Sequence, residues 1–180
     1  MRAVLVNAES VLEQRRRLDI DRQDERWEGE WHFVNPPKLW HPRLNTDMAF
    51  ALRPRALAAG LVVYCEGAGV FADAEDWRVP DQVYARPDQE IEEGLTGAEL
   101  VVEVRSPDDE SYAKLPFYAA RGITEAMIVH RDRRFELYRL GDEGTYQPVD
   151  DGRSTVLDVT FGTVDGPKLR IAWIDGSAEV

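Results

Sequence analysis

The stretch from 99 to 140, "ELVVEVRSPDDESYAKLPFYAARGITEAMIVHRDRRFELYRL", constrains the fold more than any other part of this chain. It opens with a valine-rich run, "ELVVEVR", of the kind that suits a strand covered on both faces. Ser106-Pro107 breaks that run. A helix is expected from about 111 to 121, with Gly122 as its stop. Two further strands follow, "EAMIVH" (125–130) and "RFELYRL" (134–140), joined by the charged turn "RDRR". A strand, a helix and a second strand in succession imply a right-handed crossover and a parallel pair. The fold class that follows is α/β: a mixed central β-sheet flanked by helices.

The rest of the chain can be read around that unit. "SVLEQRRRLDI" (10–20) carries apolar residues at 11, 12, 18 and 20 and suits a short amphipathic helix capped near Asn7 or Ser10. "RWEGEWHFV" alternates about Glu28-Gly29, a hairpin with Trp27, Trp31 and Phe33 expected on one face. Pro36-Pro37 ends it. "HPRLNTDMAFALRPRALAAG" (41–60) is a second helix, capped by His41 or Asn45, stopped by Gly60, and kinked or shortened by Pro54. "LVVYCEG", "GVFAD" and "VPDQVYAR" are short strands, and the polar residues between Arg86 and Glu99 form a loop. The last 40 residues supply about three more strands, ending in "LRIAWID". A length of 180 residues fits one domain, 1–180, with its core at about 25–140 and C-terminal strands over 141–180.

Composition narrows the function classes. Hydrophobic residues at 43% and charged residues at 31% describe a soluble globular chain. No apolar run approaches the roughly 20 residues of a membrane span. The N-terminus lacks a secretory core, so a cytoplasmic location is expected. The single cysteine, Cys65, has no internal disulfide partner and reads as a small packed hydrophobe. Three histidines and one cysteine give no structural zinc site. The five tryptophans read as core or interface residues. A net charge of −12 argues against strong non-specific binding to nucleic acid. "EQRRR" (13–17) and "RDRRFELYR" (131–139) read as solvated basic islands.

The chemistry lies in an acid at the centre of the valine strand. Alternation puts Val101, Glu103 and Arg105 on one face and Val102 and Val104 on the other. A buried carboxylate needs a cation, a hydrogen-bond donor or a metal. Asp81, after Pro80 at the head of another strand, can converge on Glu103 if the two strands are neighbours. Two such acids repel unless a cation sits with them, and oxygen donors suit Mg²⁺ or Mn²⁺. Lys114 opens the following helix, and Ser106-Pro107 can fold that helix back over the strand. Lys114 and Tyr118 then share one helix face. A plain alternative stays open, in which Glu103 pairs structurally with Arg105 or Lys114 and Asp81 is a turn residue.

These residues resemble a known family. "VPD" (79–81), "VVEVRSP" (101–107) and "KLPFYAARGITEAMIV" (114–129) are similar to the V-P-D, V-V-E-V-x-S-P and K-L-P-x-Y-A-x-x-G-I-x-E segments of the Uma-type branch of the PD-(D/E)XK nuclease superfamily. "ERWEGEWHFVNPP", followed by His41, resembles that branch's hairpin, proline pair and helix-starting histidine, and "FELYRL" its strand after the crossover. The resemblance implies a restriction-endonuclease-like core. It implies Asp81 and Glu103 as ligands of Mg²⁺ or Mn²⁺, Lys114 as the catalytic lysine carried on the helix, and Glu25 as a further acid. Met127 and His130 depart from the branch's usual aromatic and aspartate. Arg105 fills the superfamily's third motif position, where a permanently charged guanidinium cannot shuttle protons. The expected activity is metal-dependent hydrolysis of DNA phosphodiester bonds by a homodimer. The alternative is a catalytically inactive nuclease-fold module serving in protein interaction, which the acidic charge favours. His41 reads as a helix cap, and His32 and His130 as ordinary strand-end residues.

Overall fold

The computed structural model describes residues 8–107, 109–164 and 166–180. Helix α1 (Ala8–Arg17) buries Leu12, while Leu18 beyond its end is exposed. Ser10 lies inside the helix, and a cap at Asn7 falls outside the described residues. Arg15 departs from the expected solvated island. It is buried, and its Nε and Nη2 each lie 2.6 Å from an oxygen of Asp24, with Nη2 also donating to the Val34 carbonyl at 2.6 Å.

Strands β1 (Glu25–Trp27) and β2 (Glu30–His32) form the expected hairpin. Its turn residues Glu28 and Gly29 have φ of +49° and +88°, as a primed two-residue turn requires. That turn sets Trp27 opposite Glu30 and Glu25 opposite His32. Residues directly opposite share a face. Trp27 therefore lies with Glu25 and His32, and stacks on the His32 ring at 4.0 Å. Trp31 and Phe33 stack on the other face. The expected single aromatic face is thus divided by the parity of the turn.

Helix α2 (Trp40–Ala58) buries a stripe of Leu44, Met48, Leu52 and Ala56. It runs through Pro54 without shortening, and Gly60 follows at φ +74°. Strands β3 (Val62–Cys65), β4 (Val70–Asp73), β5 (Asp76–Arg78) and β6 (Gln82–Ala85) come next. The segment expected as a loop contains two very short strands, β7 (Glu90–Ile91) and β8 (Gly94–Leu95). Then come β9 (Leu100–Arg105), α3 (Ser111–Ala120), β10 (Glu125–His130) and β11 (Phe135–Leu140). The C-terminal part holds more strands than expected: β12 (Tyr146–Pro148), β13 (Arg153–Ser154), β14 (Val159–Val164), β15 (Lys168–Trp173) and β16 (Gly176–Glu179).

The central sheet has the order β12-β11-β10-β9-β6-β3. β9 and β10 are parallel, as the crossover demands, and their other neighbours are antiparallel. The sheet is therefore mixed, as expected for the fold class. Leu100, Val102 and Val104 pack with the α2 stripe, and with Phe161, Leu169 and Ile171 of the C-terminal sheet. Val101 and Ala126 pack on the opposite side with Phe117, Tyr118 and Ile123. Layers on both faces explain why β9 and β10 read as nearly continuous apolar runs. Buried Glu125 links the C-terminal sheet to the centre, accepting from Ser154 Oγ at 2.6 Å and Arg139 Nη2 at 2.9 Å. A third sheet, β2-β1-β5-β4-β8-β7, sets the hairpin beside β5 through Arg26 and Trp77. Cys65 is exposed at a strand end and is not the packed hydrophobe expected. The five tryptophans are half-buried. No helix among the described residues is long and apolar enough to cross a membrane.

Candidate active site

Four elements deliver the acids and the lysine to one place. The hairpin carries Glu25, and β5 runs through Val79-Pro80 to place Asp81 at the head of β6. The antiparallel register of β6 and β9 pairs Gln82 with Val102, which puts Asp81 opposite Glu103. The neighbouring strands foreseen for these two acids are present. The chain then reverses through Ser106-Pro107. Asp109 secures this turn, accepting from the Ser106 amide at 2.5 Å, the Ser111 amide at 3.1 Å and Ser111 Oγ at 2.8 Å. Helix α3 is thereby folded back along β9, with Lys114 and Tyr118 both on Glu103.

The contacts are close and enclosed. Lys114 Nζ lies 2.7 Å from Glu25 Oε1 and 3.2 Å from Glu103 Oε1, with the Val79 carbonyl at 3.5 Å. Glu25 is 1% exposed and Glu103 5%. Glu25 also accepts from the Val79 amide at 2.8 Å and from Trp27 Nε1 at 2.7 Å. Glu25 and Trp27 are two apart on β1 and so share a face, which is what lets Trp27 make that bond. Tyr118 donates its hydroxyl to Glu103 Oε1 at 2.5 Å.

Burial and neighbouring charge together set the protonation of these groups. Burial pushes the Glu103 carboxyl up to about 8; the Lys114 ammonium opposes this, and the charges of Asp81 and Glu25 reinforce it. Burial disfavours the Lys114 ammonium, yet Glu103 and Glu25 outweigh it and hold its pKa above the ordinary lysine value. Lys114 is thus a fixed cation. Burial and the facing carboxylates keep the Tyr118 hydroxyl protonated.

Asp81 is gripped from α2. Its Oδ2 accepts from the Val104 amide at 2.7 Å and lies 3.3 Å from His41 Nε2. Its carbonyl accepts from Asn45 Nδ2 at 3.1 Å. His41 was expected to cap α2. The cap residue is instead Leu39, with no side-chain bond, and His41 points inward at 6% exposure. Burial opposes the charged imidazole, but the bond and charge of Asp81, helped by the Val104 backbone and the charge of Glu66, outweigh it and raise its pKa. The signal was present in the sequence: His41 and Asn45 continue the buried stripe of 44, 48 and 52 as its polar end.

The remaining polar candidates lie around this cluster. Arg105 sits 3.7 Å from Asp109 and over the Tyr112 ring, so Glu103 has Lys114 as its counter-ion. His32 Nδ1 lies 2.7 Å from Glu110, and His130 Nε2 lies 2.7 Å from Glu136. Each strand-end histidine thus faces a carboxylate.

Among the described residues no three His, Cys, Asp or Glu side chains are drawn together as a ready metal-binding group. The composition of the cluster nevertheless suits a hard divalent cation. Three carboxylates, Glu25, Asp81 and Glu103, lie around one ammonium, and burial, reinforced by the charges of Asp81 and Glu25, lifts Glu103. Oxygen donors of this kind suit Mg²⁺ or Mn²⁺.

A family model, Uma2, described as putative restriction endonuclease, matches residues 12–171. The crystal structure of a putative nuclease belonging to DUF820, from Anabaena variabilis, superposes with a TM-score of 0.56 at 14% identity, covering 73% of this chain and 78% of that one. It is among five solved chains that match. At that identity the likeness bears on the fold. No curated protein matches the chain significantly.

Proposed function

The chain belongs to the Uma2 family of putative restriction endonucleases, and from that premise we propose that it is a divalent-metal-dependent nuclease hydrolysing DNA phosphodiester bonds. The observation that carries this reading is the position of Lys114 Nζ, 2.7 Å from Glu25 and 3.2 Å from Glu103, with Asp81 opposite Glu103 in the ladder. Asp81 and Glu103 would hold Mg²⁺ or Mn²⁺. Such an ion lowers the pKa of water and polarises a phosphoryl oxygen. Lys114, held charged by its two acids, would orient the attacking water or neutralise charge that develops on the phosphate. Glu25 fixes the ammonium, and Tyr118 fixes the Glu103 carboxylate. The proposal takes residues 1–180 as one nuclease domain, cytoplasmic, pairing as a homodimer to cut both strands.

Plasmid cleavage in Mg²⁺ or Mn²⁺, with a Lys114→Ala control, tests the activity. Metal-dependent nicking lost in the variant supports it; no cleavage of any DNA or RNA in either metal overturns it. One observation favours a second reading. The net charge of −12, with the one cluster lysine already paired to two acids, suits a nuclease-fold module that binds a protein. That module would keep its stability and lack turnover.

A further inference from the structure

Asp81 is held by one turn of α2 at two points, its side chain by His41 and its carbonyl by Asn45. The two residues are four apart, on the buried face that otherwise carries Leu44, Met48 and Leu52. Asn45 is itself locked, since Gln82 Nε2 donates to its Oδ1 at 2.7 Å and to its carbonyl at 2.8 Å. Tyr84 then donates to Gln82 Oε1 at 2.5 Å. This chain of bonds fixes the backbone of residues 81 and 82, and leaves His41 to act on the carboxylate.

A histidine is a poor choice for packing here. Its Nδ1 is buried and has no hydrogen-bond partner. A buried polar atom left unpaired is unfavourable, and an apolar residue in the stripe would avoid it. Nε2 is therefore the nitrogen with a task. Both Val104 N–H and His41 Nε2 reach the same oxygen of Asp81, Oδ2. Among the described residues no hydrogen bond falls on Oδ1. One oxygen of the carboxylate is thus taken by the protein and the other is left for a cation.

We propose that His41 is a positioning residue, which holds Asp81 through Nε2 so that the carboxylate presents Oδ1 to a divalent ion. This rests on the reading of Asp81 as a metal ligand. Groups that orient a ligand from behind commonly change metal affinity by about 10- to 100-fold.

The test is Mn²⁺ binding to the full chain, measured as free Mn²⁺ by electron paramagnetic resonance, in wild type, His41→Gln and His41→Asn. The glutamine amide reaches the place of Nε2 and the asparagine amide falls short of it, while both are neutral and polar. His41→Gln is expected to bind within about threefold of wild type, and His41→Asn at least about tenfold more weakly. Thermal unfolding without metal should show both variants fully folded at the temperature of the titration, so that a loss of affinity is not a loss of folded protein. Equal affinity in the two variants, or a difference that follows their melting temperatures, overturns the proposal. Wild type that binds no Mn²⁺ at millimolar concentration instead removes the metal reading of Asp81 and Glu103, and the role of His41 with it.

Discussion

Lys114 on α3 and Glu25 on the β1–β2 hairpin meet at 2.7 Å, so two segments remote in sequence are closed over Glu103 by one ion pair. The ammonium is the only counter-charge in direct contact with Glu25 and Glu103 among the described residues, and both acids are buried. Stability and activity should therefore depend on it together, but not equally at every pH.

Lys114→Met removes the charge and keeps much of the side-chain volume. It leaves two buried carboxylates uncompensated, a change that commonly destabilises by about 3–5 kcal/mol. The loss should be larger at pH 9 than at pH 6, because Glu103 can take up a proton at the lower pH. Urea unfolding at the two pH values checks this. Cleavage should be lost at both.

Glu103→Gln should separate stability from function. The folded Glu103 titrates near 8, whereas the unfolded carboxyl titrates near its ordinary value of 4.5. Between those values the folded state binds one proton more than the unfolded state, so stability from this group falls as pH rises. The slope is at most about 1.4 kcal/mol per pH unit. Glutamine has no such titration. The variant should be more stable than wild type by a margin that widens from pH 5 to pH 8 and then levels. His41 adds a fall of the same sign above its ordinary pKa in both proteins and cancels in the comparison. Cleavage should be absent in the variant throughout. An unchanging margin would contradict a raised Glu103.

Mn²⁺ should stabilise the wild-type fold, since a ligand bound only by the native state adds about 2.7 kcal/mol at a hundred times its Kd. The effect should vanish in an Asp81→Asn, Glu103→Gln double variant. It should also grow between pH 6 and pH 8, because the cation must displace the proton on Glu103. Thermal melts across that range, with and without Mn²⁺, read both effects.

What the sequence made legible here was local. Glu103 stood out as an acid in a valine strand, and Lys114 and Tyr118 lie within the same crossover, so one helix period places both on it. Asp81 required only that β6 and β9 be neighbours. Other features depended on distant pairings. Glu25 reaches Lys114 because β1 pairs with β5, and β5 lies in "EDWRV", which carries no clear alternation. Trp27 was assigned to the wrong face because a two-residue turn, not the spacing of aromatics, decides parity. His41 looked like a cap because it begins a helix, although its place in the buried stripe made it a core position. The C-terminal strands are partly polar and several are very short, so periodicity under-counts them, although they pair simply in chain order as antiparallel neighbours.

Tyr118→Phe tests how Glu103 is kept ionisable. The hydroxyl donates to Glu103 Oε1 at 2.5 Å, and this bond favours the charged carboxylate against its burial. Removing it leaves Lys114 to oppose burial alone, so the proton is held more tightly. An activity that needs the ionised acid should shift to higher pH. The deficit of the variant should be largest near pH 7 and shrink toward pH 9, where Glu103 ionises even without the tyrosine. The ring packs with Val101, Phe117 and Ile123, and phenylalanine preserves that packing. The loss of stability should stay near the about 1–3 kcal/mol of an unsatisfied buried group. A pH–rate profile of the variant that runs parallel to wild type would show that Tyr118 supports the helix and does not tune the acid.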